Sequence, residues 1–255
     1  MTTRVVLVTG ANGYIGNAVA RAFVRAGWIT YGLVRSPLSV QKLAAEEVIP
    51  VVGIIDSRET HQSIREALPA RLDVIVSTTE LLKDYGLHFE NTVHLLRLLS
   101  ASSTAAGRQP TVIFTSGCKD YGIGPHVHGE AGPPPHTEET PLRPPPAVAA
   151  RTKFSVKIFD HTDVFWPVLV RPTNVFGRGS TYYQNFFAVA EQIADQGGGS
   201  SWRLRQIISY TRYMLTTAPT PMLPLHLTLE WTRCAVRSSI SPHIGTKRWT
   251  KSVEH

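Results

Sequence analysis

Residues 8–23 read VTGANGYIGNAVARAF, and their pattern decides the fold. Just upstream, Val5, Val6, Leu7 and Val8 form a short apolar run rich in β-branched residues, the pattern of a buried parallel strand. Gly10, Gly13 and Gly16 follow at G-x-x-G-x-x-G spacing. Ile15, Val19, Ala20, Phe23 and Val24 then recur at helical spacing, and Gly27 closes the helix. Each glycine answers a separate physical need. Gly10 allows the sharp strand-to-helix turn, Gly13 lets a pyrophosphate approach the backbone, and Gly16 lets the helix pack tightly on the strand. The free N–H groups and positive dipole end of the helix would then face the phosphates. Together with Asn12, Tyr14 and Ile15, these glycines are the candidate phosphate cradle.

Working outward, strand and helix patterns alternate. Strands are expected at Thr30–Val34, Val48–Ile55, Leu72–Val76, Thr111–Thr115 and Pro167–Arg171, with helices at Ile64–Leu68 and Leu87–Leu99. This repetition predicts an α/β protein, a Rossmann-like doubly wound parallel sheet covered on both faces. The Pro/Gly-rich stretch between Gly122 and Ala150 reads as a long surface loop. Residues 1–190 are expected to form a nucleotide-binding domain and residues 191–255 an atypical tail.

Composition narrows the function classes. The chain has 255 residues and a formal net charge of +7. Residues 201–255 carry eight Lys/Arg against Glu230 and Glu254, so the tail holds nearly all the excess and a nucleic-acid partner is not expected. No run of 18 apolar residues occurs, so no membrane span is expected. The start lacks the basic and apolar regions of a signal peptide, and the two cysteines, Cys118 and Cys234, fit a reducing compartment. The expected location is the cytoplasm. No metal site is expected: His88 and His94 lie six apart on one predicted helix, and His136 follows three prolines as a loop residue without partners.

Four stretches carry a family resemblance: VTGANGYIG after the first strand, VIFTSGCKDYG at the fifth, TEETPL in the loop and VLVRPTNVFGRG at the sixth. Over about residues 3–190 the chain resembles the extended short-chain dehydrogenases/reductases, the NAD-dependent epimerase/dehydratase group. The resemblance implies a bound dinucleotide, substrate chemistry above the C-terminal strand edge, and a small hydroxyl or carbonyl substrate. RPTNVFG, with Thr173, would line the nicotinamide end. Arg35 ends the second strand 19 residues after Gly16. An acid there would pair with the ribose of NAD, whereas an Arg followed by Ser36 suits the 2′-phosphate of NADP; NADP is the expected cofactor, with NAD the alternative. Asp56 either touches the adenine or caps the helix that follows.

In the resembled family a Ser orients the substrate oxygen, a Tyr moves the proton, and a Lys four residues after the Tyr holds the ribose. Counting back from Tyr121 places Gly117 at the serine. KFSVK is the fit to Y-x-x-x-K, placing Lys153 at the tyrosine and Lys157 at the lysine. A solvated Lys153 is a protonated donor with no acceptor capacity and does not replace a phenol. Ser116 and Tyr121 are the candidate substitutes, with Lys157 on the ribose; Cys118 reads as a buried small residue. The departures leave open a catalytically inactive dinucleotide-binding or regulatory protein.

The tail departs altogether. Gly197–Gly199, Ser200 and Ser201 are followed by a stretch without clean periodicity, interrupted by Pro219, Pro221 and Pro224. The codons of Ser209–His226, read in the frame that joins each third base to the next two, allow I-L-H-A-L-H-V-D-D-C-A-D-A-Y-V-A-L-A. The same frame over Cys234–Val253 allows L-R-G-Q-V-F-N-I-S-A-H-R-Y-E-T-L-D-E-V-G. Both resemble what the family places there, in the right order. The expectation is a tail translated out of frame from near residue 200, in place of the lobe that would choose the substrate; the whole would then be a non-functional product.

Overall fold

The computed structural model describes residues 3–122 and 135–177 and scattered positions between 180 and 192. Contacts divide the chain after Leu223, and every described residue belongs to the first unit. The expected tail features at 193–255 therefore lie outside the described residues.

Six strands form one parallel sheet: β1 (Val5–Thr9), β2 (Ile29–Val34), β3 (Ile49–Val52), β4 (Val74–Ser77), β5 (Thr111–Thr115) and β6 (Trp166–Val170). Their spatial order is β3-β2-β1-β4-β5-β6. Val8 pairs with Gly32 on one side and Val76 on the other, so the chain reverses its winding direction between β1 and β4. This is the doubly wound arrangement expected from the alternation. A two-residue antiparallel pair, β7 (Phe176–Gly177) and β8 (Ser180–Thr181), follows β6.

Strand alternation sends side chains to two cores. Val6, Val8, Val34 and Val76 pack with Ala20 of α1 (Tyr14–Arg25) and Leu43 of α2 (Val40–Ala45). Leu7, Leu33, Ile75, Val112 and Phe114 face the other way, onto Ile64 of α3 (His61–Glu66) and Phe89, Leu95 and Leu99 of α4 (Tyr85–Ala105). α5 (Ala149–Ser155) and the 3-10 turn Val156–His161 complete that layer through Ile158.

The boundaries differ in informative ways. α2 is a helix the periodicity did not announce, because only Leu43 of its six residues is buried. β3 ends at Val52, just before Gly53, where Ile64 occupies the place of a Cβ. α4 runs from Tyr85 to Ala105, well beyond Leu87–Leu99 at both ends. The helix after the loop changes to 3-10 geometry at Val156, between Lys153 and Lys157.

Candidate active site

Gly10 adopts φ +64°, a conformation open to glycine at little cost. It turns the chain so that Gly13 N donates to Gly10 O at 2.8 Å. A Cβ on Gly16 would run into Gly10 O and stand 2.8 Å from Thr78 Oγ1. The turn is pinned across the switch point, where Thr78 Oγ1 donates to Thr9 O at 2.6 Å. α1 then starts at Gly13 with no side-chain cap and no acid in its first turn. No side chain of the cap residue competes with an anion at this helix start. Thr79, whose Cγ2 would stand 3.1 Å from a Cβ on Gly10, has its Oγ1 buried with no hydrogen-bond partner among the described residues. These features fit the pyrophosphate of a dinucleotide.

The end of β2 forms the next part. Arg35 is exposed. Ser36 Oγ accepts from Leu38 N at 3.3 Å, starting the turn Pro37–Ser39. Asn12 Nδ2 donates to Ser39 Oγ at 3.0 Å and ties the glycine turn to it. A cavity of about 300 Å³ opens here, lined by Asn12, Gly13, Tyr14, Arg21, Lys42 and Glu46. Asp56, after β3, does not cap the following turn, which has no side-chain cap; its Oδ1 instead lies 2.6 Å from His88 Nδ1. The second signature motif returns to the first: Tyr14 OH donates to Gly177 O at 2.9 Å. Thr173 lies exposed after β6, and the β5 and β6 ends are joined where Cys118 N donates to Pro172 O at 3.0 Å.

The most built part of the site is a charge cluster at the β5 end. Asp120, wholly buried, accepts from five donors. On Oδ2 these are Ser116 Oγ at 2.5 Å and Arg171 Nε at 3.0 Å. On Oδ1 they are Thr152 Oγ1 at 2.8 Å, Arg151 Nη2 at 3.1 Å and Arg151 Nε at 3.3 Å. Arg151 Nη1 also donates to Glu80 Oε1 at 3.2 Å. Burial works against the charge on Arg151, but Asp120 and Glu80 outweigh it and hold its proton more firmly than usual. Tyr85, at the head of α4, has its phenol pushed up by burial and then by Glu80, with Arg151 opposing. It is held as a neutral phenol.

The predicted catalytic residues are placed as follows. Ser116 is buried and its hydroxyl hydrogen is committed to Asp120. Tyr121 lies half-buried, stacked on His136 at 5.1 Å between centroids and 12° between planes, with Arg171 over its ring at 5.3 Å. His136 is therefore not the partnerless loop residue its prolines implied; its ring has an aromatic face to cover. Cys118 is half-buried rather than buried. Lys157 Nζ lies 4.9 Å and Lys153 Nζ 6.0 Å from the Phe154 ring centre, both side chains exposed and neither paired with Asp120. His88 and His94 serve separately: His88 faces Asp56, and His94 Nδ1 lies 2.8 Å from His61 Nδ1. Among the described residues no group of three metal-binding side chains occurs, and no helix is long and apolar enough to cross a membrane.

Asp120, Arg151, Arg171 and Glu80 were not singled out from the sequence. In the sequence they are scattered charges, three of them after strands and Arg151 within α5, and what joins Asp120 to Arg151 is contact across 31 residues of chain.

Comparison with known proteins agrees with this fold. The model of the NAD dependent epimerase/dehydratase family matches residues 6–205. A 4-hydroxy-2-methyl-3-oxo-4-farnesyl-3,4-dihydroquinoline-1-oxide ketoreductase from Stigmatella aurantiaca is 26% identical over 176 residues, 69% of this chain and 52% of that protein. The chain thus spans about half the length of that relative. The fold resembles the 3-oxoacyl-[acyl-carrier protein] reductase from Brucella melitensis in complex with NAD (TM-score 0.51, 14% identity, 77% of this chain and 82% of that one). It also resembles the Pseudomonas aeruginosa RhlG/NADP active-site complex (TM-score 0.50, 17% identity, 74% and 77%).

Proposed function

Because the chain belongs to the NAD-dependent epimerase/dehydratase family, we propose that it binds NADP(H) and acts on a small carbonyl or hydroxyl substrate by hydride transfer. The observation that carries this is the uncapped start of α1 at the switch point, facing Gly10, Gly13 and Gly16 with no acid in its first turn. The α1 N–H groups, with Asn12, Tyr14 and Ile15 beside them, hold the pyrophosphate. Arg35, at the β2 end, pairs with the 2′-phosphate, which an acidic residue there would repel. Asp56 meets the adenine, Thr173 the nicotinamide end and Lys157 the ribose. Ser116 keeps Asp120 oriented, and the Tyr121 hydroxyl carries the proton. The nicotinamide, when bound, gives or takes the hydride. Residues 1–190 form the domain that does this.

NADPH and NADH are titrated against the protein by the change in nicotinamide fluorescence. Saturable binding of both, with NADPH at least ten-fold tighter, is expected. Absence of binding overturns the cofactor reading, and equal affinities overturn the choice of NADP.

A further inference from the structure

We infer that Arg151 replaces the missing serine: its guanidinium polarises the substrate oxygen. This rests on the reading of the chain as a dinucleotide-dependent enzyme acting on a carbonyl or hydroxyl carbon. The serine expected four residues before Tyr121 is Gly117, and that glycine is not an empty place. A Cβ there would stand 3.1 Å from Arg151 Nη2, 3.2 Å from Nη1 and 3.3 Å from Cζ. The guanidinium therefore lies flat against the Gly117 backbone, in the space where a serine side chain would begin. Gly117 and Arg151 fit as a pair, and a side chain at 117 would push the guanidinium away.

The donors are available and fixed. A guanidinium has five N–H groups. Three of those on Arg151 go to Asp120 and Glu80, leaving one on Nη1 and one on Nη2 without a described partner. Asp120 holds the Nε–Nη2 edge, and is itself held by Ser116, Thr152 and Arg171. The guanidinium is thus fixed in place, with one N–H on Nη1 and one on Nη2 still to be used. Arg151 is only 8% exposed, so water screens its charge little. Glu80, the outer partner, is exposed, and a substrate oxygen that takes its place would receive a third N–H.

The step balances. The carbonyl carbon takes a hydride from the reduced nicotinamide, and the C=O π pair moves onto oxygen. Arg151 stabilises the resulting alkoxide through the two N–H groups and stays protonated throughout. The Tyr121 hydroxyl then gives its proton to the oxygen, leaving the alcohol, and takes a proton back from water. Oxidation of an alcohol runs the same path backwards.

The test uses 9,10-phenanthrenequinone as carbonyl probe with the full chain. Turnover with NADPH is measured for the wild type, Arg151→Ala, Arg151→Lys, Gly117→Ser and the double variant Gly117→Ser/Arg151→Ala. The C=O stretch of the bound quinone is recorded by infrared spectroscopy in complexes with NADP⁺, where no turnover occurs. Arg151→Ala is expected to lower kcat about 100-fold, with the NADPH Kd unchanged within about two-fold, and to abolish the downshift of the carbonyl stretch. Gly117→Ser alone lowers kcat by displacing the guanidinium. In the double variant the new hydroxyl has room and restores kcat at least ten-fold over Arg151→Ala. If Arg151→Ala fails to fold, Arg151→Lys keeps the charge beside Asp120 without the guanidinium and is expected to lose most of the downshift. An unchanged stretch and kcat in the Arg151 variants overturn the assignment, as does a wild type that binds NADPH but shifts no carbonyl. A wild type that binds no NADPH overturns the cofactor reading instead.

Discussion

At Gly16 a single hydrogen decides whether the cofactor turn closes. A methyl group there meets Gly10 O and Thr78 Oγ1, and backbone on one side with a pinned hydroxyl on the other leaves neither free to yield. Gly16→Ala is expected to destabilise the fold by about 1–3 kcal/mol and to weaken NADPH binding at least ten-fold, read by thermal melting and fluorescence titration; unchanged values for both would show that the turn opens freely. Arg35→Ala separates the cofactors. The guanidinium is exposed at the end of β2, so its loss costs the fold little, and a charge-assisted bond to phosphate disappears. NADPH affinity is expected to fall at least ten-fold and NADH affinity to stay within about two-fold; equal losses would show that Arg35 does not read the phosphate. The glycines were legible in the sequence because a backbone requirement leaves no alternative residue. Arg151 was not, because its meaning depends on Gly117, 34 positions earlier in the chain, and on Asp120.

Between elements, the contact of α3 with α4 and the β3 end couples folding to pH. His61 is 1% exposed; its Nε2 lies 2.7 Å from Ile55 O and its Nδ1 2.8 Å from His94. Burial depresses its pKa; the Ile55 carbonyl opposes this, while His94 and Arg58 add to the depression. His161 is depressed in the same direction, by burial and then by Arg97. An imidazole whose folded pKa lies below the unfolded 6.5 binds its proton more readily in the unfolded chain. Stability from these sites is therefore full above about pH 6.5 and falls as pH drops through that value toward the folded pKa, by at most about 1.4 kcal/mol per pH unit per site. His61→Asn, melted between pH 5 and 8, is expected to show a shallower loss on acidification than the wild type; an equal slope would remove His61 from the account. The same elements mark how far sequence reading carried. Long periodic segments such as α1 were evident from the spacing of their apolar residues. α2 was not, because one buried Leu43 makes no period. The Lys153–Lys157 spacing assumed a continuous α-helix where the chain turns to 3-10 geometry. Asp56 was weighed as a helix cap, and its pairing with His88 of α4 is a tertiary contact.

For the molecule as a whole, the strand order β3-β2-β1-β4-β5-β6 places both signature motifs at one sheet edge, and the Tyr14–Gly177 hydrogen bond joins them. The family resemblance implies a substrate lobe after β6, with an apolar strand and an H-V-D-D-type helix start. The family match ends at residue 205, close to Ser201, where the apolar periodicity of the sequence stops. Beyond it eight basic residues stand against two acids, whereas residues 1–200 are nearly neutral, and three of the five tryptophans fall after residue 200. With third bases free, one shifted frame allows both the H-V-D-D helix and the later G-x-x-F-N-I strand in their family order. Restoring that frame from near residue 200 is expected to give a protein with more of its expressed chain in the soluble fraction and with NADPH bound at least as tightly. A lobe rebuilt over the C-terminal strand ends would cover apolar surface that otherwise invites association. The two forms are expressed side by side, their soluble fractions compared, and NADPH titrated into each, while the transcript is sequenced across the codons for residues 190–255. A transcript that keeps the present frame across these codons, or a restored chain that is less soluble than this one, overturns the frame hypothesis and makes residues 201–255 a genuine in-frame segment.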